Sequence, residues 1–207
     1  MQSEAVVLVH GLWLNSFSLH YIARKLNNAG YETITFKYPT VFSSLQDNAA
    51  KLYKTLSRLA ENKLTIHIAA HSLGGFVVLE ALKKGKLENI GSVILLGSPV
   101  RGSRVCQKIA HWPYLRGCFG KSLQPLCDGI SAPEGYNIVS IAGDGGLGVG
   151  HLIAPVPKPH DGAVAVEETK LDNCPHFIIH SSLFTMLMSR KTTDAIVRYL
   201  REARFKN

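Results

Sequence analysis

Short apolar runs alternate along this chain with longer stretches whose apolar residues recur at helical intervals, and few architectures accept that order. Ala5 to His10, Tyr31 to Tyr38, Leu64 to Ala70, Ile90 to Leu96 and Asn137 to Ala142 read as five strands, each bounded by Gly, Pro or a tight turn. Between them, Ser16 to Ala29, Ser44 to Asn62 and Leu73 to Lys84 read as helices, and Leu183 to Phe205 as a last one. In the second of these, Leu45, Ala49, Leu52, Leu56 and Leu59 share one face. Strands that are apolar along their length need cover on both faces, and right-handed crossovers put the helices there. The expectation is an α/β fold with a mostly parallel central sheet between two helical layers. At 207 residues the chain is long enough to bury its own core, so we expect a single domain over residues 1–207. Pro99 to Tyr136 mixes aromatic residues with Gly and Pro and has no clean period; it reads as a cap-like insertion over about residues 100–136.

Chemistry concentrates where the third strand runs straight into the third helix, at Ala70-His71-Ser72-Leu73-Gly74-Gly75. A turn this sharp pushes its middle side chain out over the end of the sheet. Small residues two places either side let strand and helix approach. Ser72 is therefore a candidate nucleophile and Gly74 a support of its bend. Ala70 stands where glycine is usual, a difference of one methyl. The alternative reading is a serine at an ordinary helix N-cap. The same turn leaves the Leu73 N–H pointing outward, where it can hold negative charge. His10-Gly11-Leu12 closes the first strand at the same sheet edge. Gly11 lets the backbone turn there, so the Leu12 N–H is the candidate second oxyanion donor, with His10 and Gly11 supporting it.

A serine hydroxyl needs a base near neutral pH, and the base needs a partner that fixes its tautomer. His180 ends the apolar run Phe177-Ile178-Ile179 and precedes the last helix, which places it at the working edge of the sheet. His176 is second choice. For the acid, Asp144 and Asp161 both follow the fifth strand and either could serve. Asp161 precedes an ordered apolar stretch, whereas Asp144-Gly145-Gly146 reads as a turn, so the residues lean to Asp161.

The formal charge of +8 comes from Lys and Arg scattered along the chain without a nucleic-acid motif. It reads as a basic surface, and nucleic acid is not an expected partner. Cys106, Cys118, Cys127 and Cys174 lack zinc-site spacing, and reduced thiols are expected. No stretch approaches the roughly 18 apolar residues of a membrane span. Without a recognisable leader before Ala5, a cytoplasmic location fits best.

With these residues in view, the chain resembles the small bacterial lipase and esterase group of α/β-hydrolases, also described as predicted acetyltransferases and hydrolases. Four segments carry the likeness: Val7-Leu8-Val9-His10-Gly11, Ala70 to Gly75, Leu96 to Ser103, and Asp161 to Val166 with His180 beyond. Ser98 and Val100 depart from the Thr and His common in the group. The resemblance implies a three-layer α/β-hydrolase fold and a triad of Ser72, His180 and Asp161. It implies hydrolysis of a small-molecule carboxylic ester through an acyl-enzyme, with no metal or organic cofactor. Two alternatives share these residues: an acyltransferase or thioesterase using the same triad, and a catalytically silent binding protein on this fold.

Overall fold

In the computed structural model, which describes residues 4–61, 65–146, 148 and 150–204, six parallel strands form one sheet in the order β2-β1-β3-β4-β5-β6. They are β1 (Glu4–Val9), β2 (Glu32–Phe36), β3 (Thr65–His71), β4 (Ile90–Leu96), β5 (Asn137–Gly143) and β6 (His176–Ile179). The first five lie where the sequence predicts strands, although Leu64 falls outside the described residues. The sixth is an addition. It is a four-residue edge strand with Phe177 and Ile178 exposed, too short for any period to show.

Alternate side chains of each strand enter opposite core layers, as the period of two requires. Val7 and Val9 pack with Leu52 and Leu56 of α2 (Leu45–Ala60) and Phe76 of α3 (Leu73–Leu82). Val6 and Leu8 pack on the other face with Ile22 and Leu26 of α1 (His20–Asn28) and Ile196 and Leu200 of α8 (Arg190–Arg204). Helix starts follow capping chemistry: the Asn15 side chain accepts the Phe17 N–H ahead of α1, and Ser44 Oγ accepts the Asp47 N–H at α2.

The last helix begins later than its sequence suggests. Ser182 and Thr185 exchange hydrogen bonds between side chains and backbone N–H groups, at 2.9 and 3.2 Å. Such local bonds compete with helix formation. Residues Thr185–Met188 form a 3-10 turn and α8 starts only at Arg190, which leaves Leu183 in a loop. Phe205, the expected helix end, lies outside the described residues. Among the described residues, no helix is long and apolar enough to cross a membrane.

The expected cap resolves into three short helices, α4 (Arg104–Ala110), α5 (Pro113–Phe119) and α6 (Leu123–Asp128). Its base is clamped by Arg101, whose guanidinium meets Glu167 and Asp172 at 2.7 Å each. A four-residue helix, α7 (Gly150–Ile153), follows β5.

The chain leaves β1 for β2 on one side and returns to β3 on the other. The reversal opens a crevice at the carboxyl ends of β1 and β3, the favoured ligand position in a parallel α/β sheet.

Candidate active site

Ser72 stands in that crevice. Its backbone has φ 52 and ψ −120, a strained conformation for a side chain other than glycine, and its hydroxyl caps nothing in α3. The helix-cap reading of this serine therefore does not hold. Several neighbours fix the bend. The Ser72 N–H donates to the Leu96 carbonyl at 2.9 Å, and Ser98 Oγ donates to the Ser72 carbonyl at 2.8 Å, tying the turn to the end of β4. Close packing does the rest. A Cβ on Gly74 would lie 2.6 Å from the Val9 carbonyl oxygen, and one on Gly75 would overlap Ser98.

The loop after β1 lies against this bend. A Cβ on Gly11 would come within 2.7 Å of His71 Nδ1 and 3.0 Å of Ser72 Cβ, so only glycine lets the two strand ends meet. The loop is held by the Trp13 N–H on Thr40 Oγ1 and the Trp13 indole N–H on the Cys118 carbonyl. Behind it, His10 stacks on Tyr38 with ring centroids 4.5 Å apart, and Tyr38 Oη donates to the His10 carbonyl. Burial lowers the pKa of His10, which keeps it a neutral packing element.

Above Ser72 opens a cavity of about 510 Å3 with an almost wholly apolar wall. Leu12, Ser72 and Leu183 are among its lining residues, together with Val105, Cys106, Ile109, Leu115, Phe119 and Leu126 of the cap. The four cysteines are free thiols. Cys106 is buried and burial pushes its pKa up to about 12, so it acts as an apolar wall group rather than a nucleophile.

Of the two acid candidates, the one the structure brings to His180 is Asp144 and not Asp161. Asp161 is buried beneath the loop that carries Leu183, with one carboxylate oxygen accepting the Ala163 and Val164 N–H groups at 2.9 and 2.7 Å. Its other oxygen, Oδ2, is buried with no hydrogen-bond partner among the described residues. Burial raises its pKa to about 7, against the two backbone N–H groups that pull it down. His180 meets the other acid candidate. Its side chain is 75% exposed, and its Nδ1–H donates to Asp144 Oδ1 at 3.0 Å. His176, the second choice, meets Thr169 Oγ1 at the start of β6. The imidazole that does line the cavity is His71, which is fully buried and donates through Nε2 to the Leu183 carbonyl at 2.9 Å. Burial holds its pKa at about 4, so it is neutral and already engaged.

The profile of the alpha/beta hydrolase family matches residues 6–189, nearly the whole chain. The chain belongs to the alpha/beta hydrolase family.

Solved structures of similar shape include the mature form of the Bacillus licheniformis lipase BlEst2. It has TM-score 0.81 at 19% identity, over 96% of this chain and 92% of that one. The metagenomic carboxyl esterase MGS0156 gives TM-score 0.75 at 18% identity, over 98% of this chain and 76% of that one. The NocB thioesterase domain of the nocardicin cluster gives 0.62 at 16%, over 95% and 93%. At these identities the likeness is one of fold. A comparison with curated proteins returned no match.

Two residues of this alpha/beta hydrolase site escape a reading of sequence alone. Trp13 has no motif to mark it, because its role is to pin the loop carrying Leu12 through a bond to the distant Cys118 carbonyl. Leu183 is hidden in what reads as the last helix. The Ser182 and Thr185 pair, a common local stop to helix formation, is the signal that separates it from that helix.

Proposed function

We propose that this chain takes a carboxylic ester with an apolar acyl group, its acyl chain under the cap and its carbonyl at Ser72. The observation that carries the reading is the strained Ser72 at the head of the apolar cavity, with a hydroxyl that caps no helix. Leu73 N–H, at the first position of α3, and Leu12 N–H, on the glycine-turned loop, are the proposed oxyanion donors. Neither donates to a protein acceptor among the described residues. Donors of this kind contribute about a hundredfold to a thousandfold each in serine hydrolases.

In the full esterase cycle Ser72 Oγ attacks the ester carbonyl carbon and its proton passes to a base. That proton then goes to the departing alkoxide, and water cleaves the acyl-enzyme. His180 is the proposed base, and of the two acids the sequence offers Asp144 is the one already on its Nδ1–H, at 3.0 Å; Asp161 would have to displace it to serve. A thioester or an acceptor alcohol would use the same serine. A second reading is an ester-binding protein with little turnover, favoured by the 75% exposure of the His180 side chain, although its Nδ1–H already rests on Asp144 as a triad base rests on its acid.

The two readings part on one substitution. On the second, His180→Ala is expected to leave hydrolysis of p-nitrophenyl octanoate within about twofold of the wild type, as for a surface change away from the chemistry. A loss of several orders of magnitude with folding intact is the result the first predicts.

A further inference from the structure

We propose that the solvent side of the cap around α5 is a docking surface for an anionic lipid bilayer. α5 stands between the cavity and solvent. Leu115, Cys118 and Phe119, three and four residues apart, turn one side of it to the cavity. Trp112, just ahead of the helix, and Tyr114 and Arg116 within it are exposed, Tyr114 at 96%. Two loops bring further aromatic side chains to the same helix. The Trp13 indole donates to the Cys118 carbonyl at 2.7 Å and meets Phe119 edge-on, yet Trp13 remains exposed. Phe42, 84% exposed, follows Val41, whose carbonyl accepts the Lys121 N–H just past the helix end. Phe184 is also exposed and, like Trp13, lines the cavity, so the cavity wall reaches solvent at these two side chains.

Single exposed apolar side chains need no explanation, but a group of them gathered on one helix does. Charge decides the occupant. From Gly102 to Cys127 the chain carries Arg104, Lys108, Arg116 and Lys121 and no Asp or Glu. Lys108, Arg116 and Lys121 are exposed and form no ion pair among the described residues. Asp47, the acid whose charge Lys121 feels, is hydrogen-bonded to Ser44. Trp and Tyr settle at the level of lipid headgroups because an apolar ring there carries a polar edge. Each Lys or Arg close to an anionic bilayer adds roughly fivefold to binding. A rim of aromatic and basic groups beside an apolar cavity fits a surface that offers negative headgroups and acyl chains together. The inference deepens the ester reading, on which it rests only for the acyl chain that the bilayer would deliver.

Trp13 and Trp112 are the two tryptophans of the chain, so its intrinsic fluorescence reports on this face. The test is titration of the wild type with phosphatidylglycerol vesicles, plain and carrying brominated acyl chains that quench a nearby indole. Emission is expected to shift to the blue and to be quenched by the brominated lipid. Binding is expected to be at least about tenfold tighter than to phosphatidylcholine vesicles, and to weaken as sodium chloride is raised to about 0.5 M. Arg116→Glu with Lys121→Glu, and separately Phe42→Ser with Tyr114→Ser, should each weaken it by at least about tenfold. Should these variants fail to fold, the salt dependence of the wild type carries the charge arm. Absence of binding to phosphatidylglycerol, or binding without quenching, overturns the inference. A concentration-dependent dimer in ultracentrifugation, without vesicle binding, assigns the face to a second copy and overturns it equally. Ser72→Ala should bind vesicles as the wild type does. Failure of the ester reading would appear instead as a wild type that binds vesicles and does not turn over p-nitrophenyl octanoate.

Discussion

Asp161→Asn is expected to stabilise the protein at and above neutral pH and to leave it unchanged near pH 4. The carboxyl is buried, and burial raises its pKa from the usual 3.8 to about 7. Between those values the folded protein retains a proton that the unfolded chain has released, so stability falls as pH rises from about 4 to 7 and then levels. A pKa raised this far corresponds to roughly 4 kcal/mol as a ceiling. Asparagine keeps an oxygen for the Ala163 and Val164 N–H groups and removes the ionisation. Burial depresses the pKa of His71 to about 4, which gives stability the opposite slope, lost as pH falls from 6.5 to 4. The comparison is therefore the difference between variant and wild type in urea unfolding from pH 4 to 9, in which His71 cancels. A difference that grows with pH in favour of asparagine supports an unpartnered carboxylate. A variant less stable at pH 8 would show that Asp161 is ionised and paired.

Gly74→Ala is expected to cost about 3 kcal/mol, the upper part of the range for overpacking. Its Cβ would press on the Val9 and His10 carbonyl oxygens, at 2.6 and 2.7 Å, and these are backbone atoms that cannot rotate away. For a domain of this size the loss corresponds to a fall in Tm of roughly 6–12 °C, read by circular dichroism. Gly117→Ala is the control, since a Cβ there meets nothing within 4 Å and alanine favours the helix. Equal melting of the two variants would show that α3 and β1 are not in the close contact on which the geometry of Leu12, Ser72 and Leu73 depends. The same substitution separates the two proposed oxyanion donors, because it lifts the start of α3 off the end of β1.

The strands and the bend at Ser72 are legible in sequence because they rest on local pattern. The apolar runs Ala5 to His10 and Leu64 to Ala70 are bounded by glycine or by a direct passage into helix, and Gly74 and Gly75 mark the turn. What stays hidden depends on contacts between distant segments. Asp144 and Asp161 lie on one side of β5 in sequence, yet the fold exposes the first in part and buries the second beneath Leu183. His180 follows an apolar run as a base at a sheet edge should. That run is the edge strand β6, and the imidazole at its end meets Asp144, the acid candidate that follows β5. Leu183 sits in a loop because Ser182 and Thr185 hold their own backbone, a preference that helical period in the following residues masks. Sequence shows Arg101 only as one of the scattered basic residues, whereas in the fold it is committed to Glu167 and Asp172 and anchors the cap.

A crystal structure of the wild type with 2-decanone most directly tests whether this crevice is an acyl-ester site. The carbonyl oxygen is expected within hydrogen-bond distance of the Leu12 and Leu73 N–H groups, with the alkyl chain against Ile109 and Leu126 and Ser72 Oγ facing the carbonyl carbon. A ketone bound elsewhere, or one lying in the cavity with its carbonyl turned from Ser72, would contradict the account.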